Sequence, residues 1–169
     1  MRQLPVPLTT VVEYGPGDGV ATQALLRRLP AHGRLLAIDH EAITQTSRIH
    51  EYVDQIGAST RIVYAAPHRR VVHRAARLDV PTPGFMRGPG HASGVFAVEV
   101  AMDELARTLG IDPVALRIAN GADVEPWSGK PFSSRSLVEC LTVGAERLAE
   151  AERAAGTPPA PVRDGRWIV

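Results

Sequence analysis

Apolar positions divide the chain into a first half of extended segments and a second half of helical segments. One early stretch differs, because VATQALLRRL from Val20 has apolar residues at helical spacing and ends before Pro30. The β-branched or alternating runs typical of strands are TTVVEY from Thr9, GRLLAIDHEAITQTS from Gly33, TRIVYAA from Thr60 and RRVVHRAARLDV from Arg69. Early strands followed by late helices predict an α+β fold rather than strict βαβ alternation.

The strongest helix prediction follows a stretch too rich in Pro and Gly for regular structure, PTPGFMRGPGHASG from Pro81. The next residues, VFAVEVAMDELARTLG, end at Gly110, which is typical of a C-cap. One face of this helix carries the apolar residues Val98, Ala101, Met102, Leu105 and Leu109.

Two further helices are predicted by their start signals. Asp112 and Pro113 precede VALRIAN as N-cap and first helical residue. Ser136 and Glu139 have capping-box spacing before a longer amphipathic run. We therefore expect early strands followed by two or three helices.

Composition limits the function classes. The chain has 169 residues, enough for one apolar core, and a formal net charge of +1, which gives no reason to expect a nucleic-acid partner. Because no run of about 18 apolar residues is present, we expect no membrane partner and a cytoplasmic location. The single cysteine, Cys140, excludes an internal disulfide and is expected to be buried in the last helix.

A glycine-rich loop is the first candidate site. Gly15, Gly17 and Gly19 lie between a predicted strand and a predicted helix, and Asp39 ends the next predicted strand. Glycines allow a backbone to approach a ligand closely, and an acid at that spacing can bind a ribose. VVEYGPGDG with LLAID resembles the first motif of class I S-adenosylmethionine-dependent methyltransferases, over about residues 1–39. A plain tight turn is the alternative, and Glu41 to Gly84 contains no convincing helix to complete such a fold.

An arginine in a second glycine-rich loop is the other candidate site. Arg87 lies beside Gly88 and Gly90, directly before a helix expected to begin near Ser93. A guanidinium, backbone N–H groups exposed at glycines and a helix N-terminus together favour an anionic, oxo-rich ligand. The alternative is a solvated loop arginine.

The text around this arginine, LDVPTPGFMRGPGHASGVFAVEVAMDELARTLGIDPVALRIAN, resembles the molybdopterin-binding large subunit of the xanthine dehydrogenase and aldehyde oxidase family. The resemblance covers about residues 33–169 and implies part of a larger molybdopterin-binding domain. It places Arg87 at the molybdenum cofactor, with Gly88 and Gly90 permitting close approach. Purine-oxidising members have an aromatic residue two positions after the arginine. Because Pro89 stands here, an aromatic wall and a purine substrate are not expected.

The resemblance also implies a reaction and partners. The family hydroxylates the carbon of an aldehyde or N-heterocycle with oxygen from water, and passes electrons to iron–sulfur and FAD centres on partner subunits or domains. No segment here resembles the family's general-base glutamate, and one cysteine cannot hold iron–sulfur clusters. We therefore expect an internal fragment without catalytic residues or metal ligands of its own, inactive alone and unable to retain molybdenum.

Two resemblances in one chain suggest a chimaeric or misassembled reading frame. Residues 1–39 would be a methyltransferase-like start, and residues 40–169 a partial molybdopterin-binding domain. The alternative functions are a small S-adenosylmethionine-dependent methyltransferase and a non-catalytic domain that binds partner subunits through its late helices.

Five other polar side chains could be mistaken for site residues. A single histidine in a loop carries little information, and two histidines without a third ligand do not make a metal site. Two acids four residues apart on a helix are more typical of its surface. We therefore expect structural or exposed positions for His68, His73, His91, Glu99 and Asp103.

Overall fold

A four-stranded sheet dominates the first half of the computed structural model, which describes residues 8–14, 21–29 and 34–156. The strand order is β1-β2-β3-β4; the first two pairings are antiparallel, and β3 pairs with β4 in parallel. The strands are β1 (Leu8–Tyr14), β2 (Ala21–Leu29), β3 (Arg34–Ser47) and β4 (His68–Leu78).

The prediction of a helix after the glycine-rich loop is wrong, because Ala21–Leu29 is strand β2. This segment pairs with β1 on one side and β3 on the other, and hydrogen bonding along both edges overrides a helical apolar spacing. Strands β1 and β2 are therefore an antiparallel pair instead of the first part of a strand–loop–helix unit. Gly15, Gly17 and Gly19 lie outside the described residues.

Asp39 also departs from its expected position. It lies inside β3 and not at the strand's end, and its Oδ1 accepts a hydrogen bond from Arg70 Nη1 at 2.8 Å. Glu41 extends the same face of the sheet with an ion pair to Arg74 at 2.6 Å. Strand β3 thus runs through residue 39, where the sequence suggested a boundary, and Asp39 belongs to a ladder of surface ion pairs.

The connection from β3 to β4 contains a short helix that the sequence pattern did not indicate. Helix α1 (Ala58–Ile62) occupies part of the predicted strand TRIVYAA, so that strand prediction is wrong. Parallel strands require a crossover, and residues 48–67 provide it. Beyond α1, Tyr64 forms an isolated antiparallel bridge with Gly121.

The next two helices confirm the predictions from their end signals. Helix α2 (His91–Leu109) ends at Gly110, whose φ of 61° is left-handed, as a glycine C-cap requires. Helix α3 (Pro113–Asn120) begins after Asp112, whose Oδ1 accepts a hydrogen bond from Ala115 N at 2.8 Å.

The apolar core lies where α2 packs against the sheet and α3. The predicted apolar face of α2 is confirmed, since four of its five residues are buried and Leu109 packs against the cluster at its edge. Strand β3 contributes Leu35 and Ile38, the segment after α1 contributes Tyr64, and α3 contributes Leu116. This core fixes the middle and C-terminal half of α2 against the start of β3.

Residues after 133 form a second compact unit, Ser134–Val169. Its described part contains helix α4 (Leu137–Ala155), in which no residue is buried. The expectation of a buried Cys140 is wrong, because no second regular element lies in the described part of this unit to cover the helix. Ser136 is the N-cap, but its side chain makes no capping hydrogen bond, so the predicted capping box does not form.

Candidate functional site

The Arg87 loop connects the end of β4 to the first turn of α2. Arg87 is exposed and forms no hydrogen bond or ion pair with any residue that the structure describes. It lines a cavity of about 200 Å³ together with Gly88, Pro89 and Gly90. The predicted loop residues thus come together at one opening, where the guanidinium charge is available to a ligand.

The loop backbone uses part of the helix N-terminus for its own hydrogen bonds. The carbonyl oxygen of Gly88 accepts hydrogen bonds from His91 N at 2.9 Å and from Ala92 N at 3.1 Å. These two N–H groups, of His91 and Ala92, are therefore not offered to a ligand. Attraction of an anion here rests on the Arg87 guanidinium and on the partial positive charge of the 19-residue helix.

Two glycines at the start of α2 permit the close approach of another part of the chain. A Cβ on Gly90 would lie 2.5 Å from the backbone carbon of Gln55, and a Cβ on Gly94 would overlap the carbonyl oxygen of Ile56. Gly88 differs, since the nearest atom to its Cβ position would be Ala92 N at 3.8 Å. Gly90 is thus required by internal packing, whereas space around Gly88 is open.

The second wall of the cavity comes from the end of β3 and the segment after it. Thr44, Gln45, Tyr52 and Asp54 line it. The Tyr52 hydroxyl donates to Asp54 Oδ1 at 2.6 Å, and this hydrogen bond, with burial, raises the pKa of Tyr52. The Tyr52 ring also lies against Phe85 at 6.2 Å between centroids. The cavity therefore joins one cation, one carboxylate and several neutral polar groups.

Neither Tyr52 nor Asp54 was predicted as a site residue. They lie more than 30 residues before Arg87, in a segment without regular structure, and their pattern in sequence carries no signal. Their position follows from Gly90 and Gly94, which bring residues 55–56 against α2.

A buried polar layer lies on the inner face of the sheet. His40 is fully buried, and its Nδ1 forms a hydrogen bond of 2.5 Å with Thr60 Oγ1. Burial and the nearby His73 lower the pKa of His40 to about 4, and burial also lowers the pKa of His73. His73 Nε2 lies 3.3 Å from Thr44 Oγ1. His40 is therefore neutral at pH 7, and the lowered pKa of His73 favours its neutral form.

The other side chains weighed from sequence have structural positions. His91 Nδ1 forms a hydrogen bond of 2.7 Å with Ser59 Oγ and thereby links α1 to α2. Glu99 and Asp103 each form an ion pair of 2.7 Å with Arg117, so they are not a paired acid site. His68 is exposed at the start of β4.

No cluster of three or more His, Cys, Asp or Glu side chains able to hold a metal ion occurs in the described ranges. Among the helices the structure describes, none has the length and apolar character needed to cross a membrane.

Relatives were found by sequence. The model of the molybdopterin cofactor-binding domain family matches residues 29–121. The aldehyde oxidoreductase molybdenum-binding subunit of Escherichia coli is 44% identical over 111 residues, which cover 65% of this chain and 15% of that subunit. A putative xanthine dehydrogenase molybdenum-binding subunit of Escherichia coli is 46% identical over 69 residues, covering 39% and 9%. The matched region thus spans only 9% to 15% of the length of these two curated relatives.

Solved structures share the fold. The aldehyde oxidoreductase of Desulfovibrio gigas matches 81% of this chain and 16% of its own chain, with a TM-score of 0.69 and 24% identity. Quinoline 2-oxidoreductase of Pseudomonas putida matches 82% and 20%, with a TM-score of 0.64 and 21% identity. Most of this chain's fold is therefore found in the structures of these two oxidoreductases. With more than half of its residues matched by the family model, this chain belongs to the molybdopterin cofactor-binding domain family.

Proposed function

We propose that this chain forms one wall of the molybdenum cofactor site of an oxidoreductase of the xanthine dehydrogenase and aldehyde oxidase type. Arg87, Gly88 and Gly90 are the proposed cofactor-binding residues. The observation that carries the proposal is the exposed guanidinium of Arg87, which has no partner among the described residues and lies at a cavity lined by this loop. Family membership supports it, because the matched region includes the loop.

The residues present fit such a cofactor. A molybdopterin is anionic and oxo-rich, and Arg87 presents several N–H donors in a fixed plane to such a group. The open space at Gly88 lets a ligand approach the loop backbone, since a Cβ there would meet nothing closer than 3.8 Å. A cavity of about 200 Å³ holds a part of such a cofactor, so the proposed role of this chain is one wall and not the whole site.

Each residue has a separate task in the proposed site. Arg87 holds the anionic part of the cofactor, and Gly88 permits close approach. Gly90 keeps the loop against residues 55–56, so that the backbone carrying the Arg87 side chain is held in place. When bound, the molybdenum group supplies the chemistry of hydroxylation, in which water provides the oxygen atom and two electrons and two protons leave.

The partners follow from where the electrons must go. The proposed acceptors are iron–sulfur and FAD centres on other subunits or domains, because this chain has a single cysteine and such clusters are bound by several. The proposed substrate is an aldehyde or N-heterocycle. The name of the aldehyde oxidoreductase relative supports the first of these two classes.

Titration with a fluorescent pterin that carries a carboxylate, pterin-6-carboxylate, tests the site. We expect Arg87→Met to weaken binding about 10-fold, which corresponds to about 1.4 kcal/mol for one charge-assisted contact. The matched control is Arg107→Met, which removes an exposed arginine at the far end of the helix that follows the Arg87 loop. Equal affinity of wild type and Arg87→Met would contradict the proposed role of Arg87.

A separate titration with S-adenosylmethionine tests the alternative. The described strands do not favour a methyltransferase, because β1 and β2 are antiparallel and Asp39 is paired with Arg70. We expect no binding heat, and saturable binding would reopen that function.

A further inference from the structure

We propose that Asp54, oriented by Tyr52, is the hydrogen-bond acceptor of this cavity and binds an N–H edge of the ligand, such as the amino-pyrimidine edge of a pterin. The proposal rests on the proposed function and adds which end of the ligand each wall of the cavity would bind. Arg87 would bind the anionic end of the ligand, and Asp54 the end that carries N–H donors.

One hydrogen bond holds the Asp54 carboxylate, and two more hold the backbone around it. The Tyr52 hydroxyl donates to Oδ1 at 2.6 Å, and Tyr52 N donates to Thr46 Oγ1 at 3.0 Å. The carbonyl oxygen of Asp54 accepts a hydrogen bond from Ile56 N at 2.9 Å, and Ile56 is fully buried. A side chain fixed in this way loses little entropy when it binds a ligand.

The carboxylate still has unused acceptor capacity. An ionised carboxylate can accept about four hydrogen bonds, and Tyr52 supplies one. No ion pair to Asp54 is formed within the described residues. Because Asp54 is half-buried and lines the cavity, its uncompensated charge faces the space where the ligand would lie.

This charge limits what the ligand can present. A purely anionic ligand would be attracted by Arg87 and repelled by Asp54. The amino-pyrimidine edge of a pterin carries adjacent N–H donors, which match the two oxygens of a carboxylate. A molecule with an anionic group at one end and such an edge at the other satisfies both walls.

The clearest test compares two ligands that differ at this edge. Pterin-6-carboxylate carries an exocyclic amino group, whereas lumazine-6-carboxylate has an oxygen acceptor at that position. An acceptor facing the Asp54 carboxylate would leave both groups unpaired and repelling. We therefore expect wild type to bind the pterin at least about 10-fold more tightly than the lumazine, measured by ligand fluorescence.

Substitution of Asp54 then tests whether this residue causes the preference for the pterin. We expect Asp54→Asn to reduce the pterin preference to less than about 3-fold, since an amide offers a donor as well as an acceptor. Asp54→Ser provides a second variant if the first does not fold, as judged by circular dichroism. The matched control is Asp79→Asn, which removes an exposed carboxylate outside the cavity and should keep the full preference.

The outcomes separate this proposal from the proposed function. A pterin preference that survives in both Asp54 variants overturns the role of Asp54. Equal binding of both ligands to wild type, lost in Arg87→Met, also overturns it but leaves the cofactor site intact. Failure of wild type to bind either ligand overturns both proposals.

Discussion

The two ends of helix α2 are built differently. From the middle of the helix toward its C-terminal end, Glu99 and Asp103 are both paired with Arg117, and Leu105 is fully buried. At the N-terminal end, Arg87 in the preceding loop is exposed and unpaired among the described residues. One end therefore satisfies its polar groups internally, and the other leaves a charge for a ligand. One part of the helix thus contributes to stability, and the loop at its other end is the part proposed to bind a ligand.

The paired end is a connected network and not a single ion pair. Arg117 Nε and Nη2 reach Glu99 and Asp103, each at 2.7 Å, and the Tyr64 hydroxyl donates to Glu99 Oε1 at 2.7 Å. Burial and the Glu99 charge raise the pKa of Tyr64, so its hydroxyl remains a donor at neutral pH. Burial lowers the pKa of Arg117, but the hydrogen bonds to the two acids outweigh it and the net pKa is raised.

The largest expected effect concerns the contact that joins the binding end to the rest of the fold. Gly94→Ala should lower the free energy of unfolding by about 3 kcal/mol, because the new Cβ would overlap the carbonyl oxygen of Ile56. Urea unfolding measures the change. Gly144→Ala in α4 is the control, since its Cβ would meet nothing within 4 Å and alanine favours a helix. A tolerated Gly94→Ala would show that the two cavity walls are not fixed to each other.

The next effect is a pH dependence that arises behind the cavity wall. The pKa of His40 is about 4 in the folded chain, below its ordinary value of 6.5. The unfolded chain therefore binds more protons between these pH values, and folding stability falls as pH decreases from about 6.5 to about 4. The expected loss attributable to His40 is about 3 kcal/mol over this interval, from about 1.4 kcal/mol per pH unit.

Urea unfolding at several pH values checks this effect in wild type and in His40→Gln. The variant should lose less stability on acidification than wild type. Part of the loss that remains in the variant comes from His73, whose pKa is also lowered. His50→Gln controls for the loss of one exposed imidazole. An unchanged acid slope in His40→Gln would mean that His40 is accessible to protons in the folded chain.

The smallest effect compares two arginines on the paired side of the fold. Arg117→Met should lower the free energy of unfolding by about 2 kcal/mol, because it leaves Glu99 and Asp103 without their partner in a partly buried network. Arg107→Met removes an exposed i,i+3 pair with Glu104 and should change stability by less than about 0.5 kcal/mol. Thermal melting compares the two variants. Equal effects would mean that the network around Arg117 stabilises the fold no more than an exposed ion pair does.

Local signals predicted helices α2 and α3 well. Asp112 with Pro113 and the glycine C-cap at Gly110 act within one helical turn, so they are visible in sequence. Strand β2 was missed because its state depends on pairing with β1 and β3, which no local pattern reports. Helix α1 was missed because its five residues are too few to show a periodicity.

Only the loop half of the candidate site could be predicted from the sequence. Arg87, Gly88 and Gly90 are adjacent in the chain, and a family resemblance marked them. Tyr52 and Asp54 come from a distant segment, and only the packing of residues 55–56 against Gly90 brings them to the same cavity. Cys140 was predicted to be buried but is exposed, since amphipathic spacing does not reveal whether another element covers a helix.

The contrast between Gly88 and Gly90 has a consequence for protein engineering. Gly90 cannot accept a side chain without displacing Gln55, whereas Gly88 and the exposed Pro89 border open space in the cavity. A combinatorial library should therefore keep Gly90 and Gly94 constant and vary Pro89 first, because side chains introduced there would enter the cavity without entering the core. At Gly88, whose φ is 66°, Asn and Asp are the residues to sample, since they tolerate the left-handed region best.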